Sequence, residues 1–232
     1  MDILKQCLMK LIKVPHEKRA GGFEEIIGHY GIKHIFEKAI RSKRPVHLLL
    51  VGSPGSAKTM FLTELMRHEK PSYFIVGSNT TKAGLVNQLF EMRPKFLLID
   101  ELEKMGTTDQ TALLHLMETG IVSETKINKT RQTELKSWVF ATANSCQKII
   151  DPLLSRFVVL KIPEYTFDEF SEIAVTRLRK ENIEDSIAQF IAEKVWHELG
   201  SRDIRDVIKV GRLAHTLHEV SSVANMLKNL KY

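Results

Sequence analysis

The chain has little cysteine. Cys7 and Cys146 are the only two in 232 residues, too few for a disulfide framework or a cysteine-rich metal site, so the composition points to a reducing cytoplasm. Long hydrophobic runs are missing as well. The longest are strand-sized, short of the ~18 residues a membrane span needs, which excludes a membrane protein of the helical kind. The N-terminus scatters lysines where a signal peptide would carry an apolar core and a cleavage site. No repeat and no low-complexity tract is present, and no aromatic-and-basic platform for single-stranded nucleic acid can be traced. What is there suits a globular protein. Hydrophobic residues at 43% and charged residues at 27% allow one large domain, or a large and a small one. A formal charge of +6 permits polyanion binding without demanding it.

The most informative segment is Gly52-Ser53-Pro54-Gly55-Ser56-Ala57-Lys58-Thr59, which fits G-x-x-x-x-G-K-[ST]. The apolar run Val46 to Val51 leads into it, and a helical pattern from Met60 to Met66 follows. Strand, glycine loop and helix are the context this motif needs. The backbone N–H groups of such a loop cradle phosphate oxygens at a helix N-terminus. The reading is therefore a nucleoside triphosphate held by the stretch Ser53 to Met60. Lys58 reaches the β- and γ-phosphates, and the Thr59 hydroxyl ligates Mg²⁺. A second signal lies about 40 residues on, in a β-α-β spacing. Phe96-Leu97-Leu98-Ile99 is an apolar strand ending in Asp100-Glu101. Asp100 sits where a carboxylate holds Mg²⁺ and Glu101 where one polarises an attacking water, which favours hydrolysis over phosphoryl transfer to a small molecule.

The remaining pattern supplies an α/β core and a helical tail. Residues 2–13 space apolar side chains at helical intervals among Lys5, Lys10 and Lys13, predicting an amphipathic helix on the body or on a neighbouring subunit, with a linker from Pro15 to Gly22. Helices are predicted over 31–41 and 83–91, and strands over 46–51, 73–76, 96–100, 138–142 and 158–160. Thr107-x-x-Gln110 reads as a capping box opening a helix that ends at Gly120. Residues 121–138 read as a β-hairpin with Lys126, Lys129 and Arg131 at or near its tip. Beyond Pro163 the pattern is wholly helical, with a capping box at Thr166-x-x-Glu169 and helices near 185–199 and 203–229.

Five elements stand in order: the glycine loop, Asp100-Glu101, a strand ending in Ala141-Thr142-Ala143-Asn144, Leu153-Leu154-Ser155-Arg156-Phe157, and Ser201-Arg202-Asp203-Ile204-Arg205-Asp206. This order resembles the AAA+ ATPases over residues 23–220. The resemblance implies a P-loop NTPase fold, α/β with a mostly parallel sheet flanked by helices, plus a small all-α lid. Residues 1–22 then form an arm and linker, 23–163 the nucleotide-binding core and 164–232 the lid. It also implies that Asn144 is sensor 1, helping to orient the attacking water. Arg156 is the arginine finger reaching a neighbour's γ-phosphate, and Arg205 is sensor 2, although Arg202 beside it fits as well. The segment Phe23 to His29 looks like the adenine-side box, with Ile27 and Gly28 near the base.

Ile99 to Met105, Thr111 to Glu118 and Leu154 to Phe157 look like MCM helicases, while residues 23–29 and 76–102 look like the branch-migration motor RuvB. In those motors the hairpin before sensor 1 meets DNA or a partner protein. The resemblance thus implies Mg-dependent ATP hydrolysis by a homo-oligomeric ring, with six subunits expected, that moves or remodels DNA. Lys126, Lys129 and Arg131 are its candidate DNA contacts. The winged-helix domain of RuvB-like proteins and the N-terminal DNA-binding region of MCM proteins have no counterpart here, so a protein partner is expected to supply DNA binding. The alternative is an ATP-dependent loader or adaptor acting on a protein partner. Remodelling of protein substrates is disfavoured, because residues 79–85 carry no aromatic pore loop.

Overall fold

The computed structural model describes residues 22–126 and 129–230. The helix expected over 2–13 and the linker up to residue 21 lie outside them. Seven strands and nine helices follow in chain order among the described residues: α1 (Tyr30–Ile40), β1 (His47–Val51), α2 (Lys58–His68), β2 (Ser72–Val76), α3 (Lys82–Met92), β3 (Phe96–Asp100), α4 (Thr107–Thr119), β4 (Ile121–Lys126), β5 (Lys129–Glu134), β6 (Trp138–Ala143), α5 (Asp151–Leu154), β7 (Phe157–Lys161), α6 (Phe167–Arg179), α7 (Asp185–Glu193), α8 (Ile204–Leu213) and α9 (Leu217–Leu230).

Five strands form one parallel sheet in the order β2-β3-β6-β1-β7. Its central strands are continuous apolar runs because both faces are covered by helices. Leu49, Leu97, Ile99, Val139 and Ala141 point to one face and pack with Leu85, Leu89, Leu113 and Leu116 of α3 and α4. Leu48, Leu50, Leu98 and Phe140 point to the other and pack with Phe36 of α1 and with Phe61, Leu62 and Leu65 of α2. The period of two along each strand thus splits one sheet between two cores.

The helices after Pro163 close around a third core that includes Phe170, Leu178, Ile191 and Val207. The capping box at Thr166 forms: the Thr166 hydroxyl accepts from the Glu169 N–H at 3.3 Å, and Glu169 accepts from the Thr166 N–H at 3.0 Å.

Two expectations are corrected. The box at Thr107 does not form. Helix α4 begins at Thr107 itself, with Gly106 as its cap. Gln110, fully buried, donates instead to the Met105 and Lys148 carbonyls and accepts from the Ile150 N–H, each at 2.9 Å. The single helix expected over 203–229 is two. Ala214 is extended at φ −146°, ψ 131°, and a Thr216-x-x-Glu219 box restarts the chain: Glu219 accepts from the Thr216 N–H and the Thr216 hydroxyl accepts from the Glu219 N–H. Among the described residues no helix is long and apolar enough to cross a membrane.

Candidate active site

The glycine loop leaves β1 at Val51 and re-enters helix at Lys58. Space and backbone conformation explain its glycines. A Cβ on Gly52 would run into the Ile162 side chain, and Gly55 has φ +82°. Ala57 also sits in the left-handed region, at φ 62°, and turns the chain into α2. The first N–H groups of α2 have no partner within the helix, so they point positive charge into the loop. Lys58 is buried, and its Nζ donates to the Gly52 carbonyl at 2.9 Å and the Ser53 carbonyl at 2.6 Å. Burial pushes its pKa below the usual lysine value, opposed by the nearby charges of Asp100 and Glu103.

Because β1 lies beside β6 and β6 beside β3, the carboxyl ends of the three strands bring Gly52, Asp100 and Asn144 to one sheet edge. This is where open α/β sheets form their ligand crevices. Thr59 Oγ1 donates to Asp100 Oδ2 at 2.9 Å. The Thr142 hydroxyl donates to Asp100 Oδ1 and accepts from the Glu101 N–H, the latter at 3.1 Å. Glu101 adopts φ 56°, a conformation that costs a non-glycine residue on the order of 1 kcal/mol, and Lys104 Nζ donates to its Oε1 at 2.9 Å. Asn144 donates its backbone N–H and its side-chain Nδ2 to Glu103 Oε1, at 3.1 and 2.7 Å.

The lid covers this edge. A crevice of about 470 Å³ brings Pro54 to Thr59, Asp100, Glu101 and Asn144 of the core against Asp203 and Arg205 of the lid. A cavity of about 310 Å³ adjoins it, with Ile27, Tyr165, Ile173 and Thr176 in its wall. Met60 and Arg177 line both, and Arg177 reaches the Met60 sulfur at 3.4 Å. A crevice lined by the glycine loop, joined to a second cavity walled by Ile27, Met60 and Tyr165, matches the two ends of a nucleotide. The oxygen pair of Thr59 and Asp100 suits a hard cation such as Mg²⁺, which takes one or two protein oxygens and shares the rest with phosphates. Among the described residues no cluster of three or more His, Cys, Asp or Glu could hold a metal alone.

Arg205, not Arg202, faces the crevice. Arg202 stacks on Trp196, with 3.5 Å between guanidinium and ring, and donates to the Trp196 carbonyl. Gly28 does not reach the base-sized cavity. It turns at φ +70° against Glu169 of α6, where a Cβ would meet the carboxylate. Ser53 also stays out of the crevice lining and offers its carbonyl to Lys58 and Ser56. Arg156 lies away from the crevice, paired with Glu118 at 2.8 Å and donating to the Pro152 carbonyl at 3.0 Å. In the hairpin, Lys126 and Lys129 form the last paired residues before the tip, and their side chains lie outside the description. Arg131 is turned inward. It donates to Glu124 and Asn87, each at 2.7 Å, and stacks 4.2 Å from the Phe90 ring.

Sequence reasoning missed Glu103, Thr142, Tyr165, Arg177 and Asp203. Asp203 carried a signal as an N-cap residue directly before an apolar helix, and it does cap α8 by accepting from the Arg205 N–H at 3.0 Å. Arg177 carried none.

A parallel sheet with a glycine loop after β1, an acidic pair at the end of β3, one strand removed, and a helical lid over both defines a P-loop nucleoside triphosphatase. The chain belongs to the ATPase family associated with various cellular activities, whose family model matches residues 48–163. It is thus a nucleotide-binding AAA+ ATPase module. Among curated proteins it is 24% identical over 182 residues to a probable DNA helicase MCM9 of Oryza sativa subsp. indica, covering 67% of this chain and 27% of that protein. It is 25% identical over 209 residues to the DNA replication licensing factor mcm2 of Xenopus laevis, covering 77% and 24%. The chain therefore spans about a quarter of the length of these relatives. Among solved structures, the Thermotoga maritima RuvB Holliday junction branch migration motor superposes with a TM-score of 0.68 at 20% identity, over 90% of this chain and 72% of that one. This likeness is one of fold.

Proposed function

We propose that the chain hydrolyses Mg-ATP at the interface between subunits of a ring, six being the expected number, and uses the cycle to move or remodel DNA. The observation that carries the reading is the convergence of Lys58, Thr59, Asp100, Glu101 and Asn144 with the lid residue Arg205 in one crevice, while Arg156 lies outside it. An arginine that cannot serve its own crevice is free to serve a neighbour's. The base lodges beside Ile27, Met60 and Tyr165. Lys58 and the loop N–H groups hold the phosphates, and Arg205 contacts them from the lid. Thr59 and Asp100 hold Mg²⁺, which neutralises charge on the phosphate oxygens when bound. Asn144 orients a water and Glu101 accepts its proton as the water oxygen bonds to the γ-phosphorus and the bond to the bridging oxygen breaks. Arg156 of the adjoining subunit stabilises the developing charge.

DNA enters the proposal through Lys126 and Lys129 at the hairpin end, supported by relatives named as a DNA helicase, a DNA replication licensing factor and a branch migration motor. A second reading, a switch that acts on a protein partner, is favoured by one observation: Arg131 is committed to α3 and Glu124, which leaves the hairpin fewer cations for phosphates. The test is the steady-state ATPase rate against protein concentration, with and without single-stranded, duplex and junction DNA. Glu101→Gln serves as background. A rate per subunit that rises with concentration and again with DNA is expected. A rate indifferent to DNA removes the motor reading, and one indifferent to concentration removes the shared site.

A further inference from the structure

Behind Asn144 stands a buried carboxylate two residues past the acidic pair Asp100-Glu101. Glu103 lies in the single turn Leu102–Lys104 that follows the acidic pair and is 9% exposed. Its Oε1 takes both the backbone N–H and the side-chain Nδ2 of Asn144. Its Oε2 is buried without a hydrogen-bond partner among the described residues. Burying a carboxylate with one oxygen unserved is unfavourable. Stability alone therefore does not account for Glu103.

Its effect on Asn144 does. An asparagine amide has nearly the same shape in either orientation, so packing alone does not decide which end carries the oxygen. An ionised carboxylate only accepts hydrogen bonds. With Glu103 Oε1 at 2.7 Å, the nitrogen must face Glu103, because the opposite orientation would set two oxygens together. The carbonyl oxygen is then the end left for the crevice that Asn144 lines.

We infer that Glu103 is a positioning residue that fixes the Asn144 amide so that its carbonyl oxygen, not its NH₂, meets the attacking water. The inference rests on the hydrolytic role proposed above for Asn144. A carbonyl oxygen accepts a hydrogen bond from the water and leaves the water's lone pair aimed at phosphorus. An NH₂ in that place would bind the lone pair that must attack.

The test is a double-mutant cycle between Glu103→Gln and Asn144→Ala, read as kcat, KM, equilibrium binding of a fluorescent ATP analogue and melting temperature. Glutamine keeps the shape of Glu103 but offers a donor or an acceptor, so Asn144 is no longer held one way. Glu103→Gln is expected to lower kcat on the order of tenfold or more, to leave ATP affinity unchanged, and to do nothing further once Asn144 is alanine. An equal fall in kcat in both backgrounds overturns the inference, as does a loss of ATP affinity that matches the loss of kcat. If Asn144→Ala alone leaves kcat intact, the water-orienting reading fails first and this inference with it. Should Glu103→Gln not fold, Asn144→Asp combined with Glu103→Gln reverses donor and acceptor. The pair should recover kcat over Asn144→Asp alone, and absence of recovery overturns the inference.

Discussion

Replacing Thr142 by valine removes a hydroxyl that ties two strands together at the site, and its cost can be worked out from the contacts. Thr142 is 1% exposed. Its hydroxyl donates to Asp100 and accepts from the Glu101 N–H. Valine fills the same volume and does neither. A hydrogen bond to a charged group contributes about 1.5–3 kcal/mol, and leaving a buried N–H unpaired costs about 1–3 kcal/mol. Asp100 is only half-buried and keeps Thr59 at 2.9 Å, so water replaces part of the first loss. The expected destabilisation is about 2–4 kcal/mol, or a melting temperature lower by roughly 5–15 °C for a chain of this size. Thr142→Ser keeps the hydroxyl and removes one methyl group, for about 1 kcal/mol. Urea titration of both variants separates hydroxyl from volume, and equilibrium ATP binding with and without Mg²⁺ reports whether Asp100 has moved. If valine destabilises no more than serine, the hydroxyl does not join β3 to β6 and the reasoning fails.

Stability should fall on acidification through His47. Burial pushes its pKa from 6.5 to about 4, and its Nδ1 accepts from the Val139 N–H at 3.0 Å, so the folded chain holds it neutral. Above pH 6.5 both states are neutral there and stability is complete. Between pH 6.5 and about 4 the unfolded chain takes up a proton that the native one refuses, and about 3 kcal/mol is lost; an unchanged pH slope in His47→Asn would refute this. Gly55→Ala forces a side chain onto φ +82° with its Cβ about 3.0 Å from the Asp203 carboxyl, and is expected to weaken ATP binding about tenfold in a titration. Arg156→Ala should lower kcat about 10³-fold with ATP affinity retained. Mixing it with Glu101→Gln should restore part of the rate, because an interface in the mixture combines an intact Glu101 with an intact Arg156; absence of restoration counts against a shared site.

The legible parts of this chain were those whose physics is local. Runs such as 96–99 are apolar at every position because helices cover both sheet faces, and that alone separates them from half-exposed strands. The order of those strands is not local. The placement of β6 between β1 and β3 is what brings Asn144 beside Asp100, and no periodicity contains it. Local signals also failed where a tertiary partner outbid them. Gln110 has the spacing of a capping residue, but the Met105, Lys148 and Ile150 backbone groups needed partners inside the core, and a buried amide satisfies all three. The break at Ala214 was hidden because Val207, Val210, Val220 and Ala224 keep helical spacing across it, facing one core from two helices. The Thr216-Glu219 pair was the readable sign of the restart.

Arg202 and Arg205 show why the lid resisted most. Three residues apart, they would share a face if both were helical. Asp203 prevents that by capping α8, so Arg202 precedes the helix and folds back onto Trp196, while Arg205 sits in the first turn over the crevice. The same Asp203 carboxylate pairs with Arg205 at 2.6 Å and rests against Gly55 of the phosphate loop. One side chain thus ends a loop, starts a helix, selects which arginine faces the site and spaces the lid from the glycine loop. An anion held by the loop N–H groups and the Asp203 carboxylate would compete for one guanidinium. The pair that holds Arg205 within the lid is therefore one that the charge of the nucleotide itself can exchange.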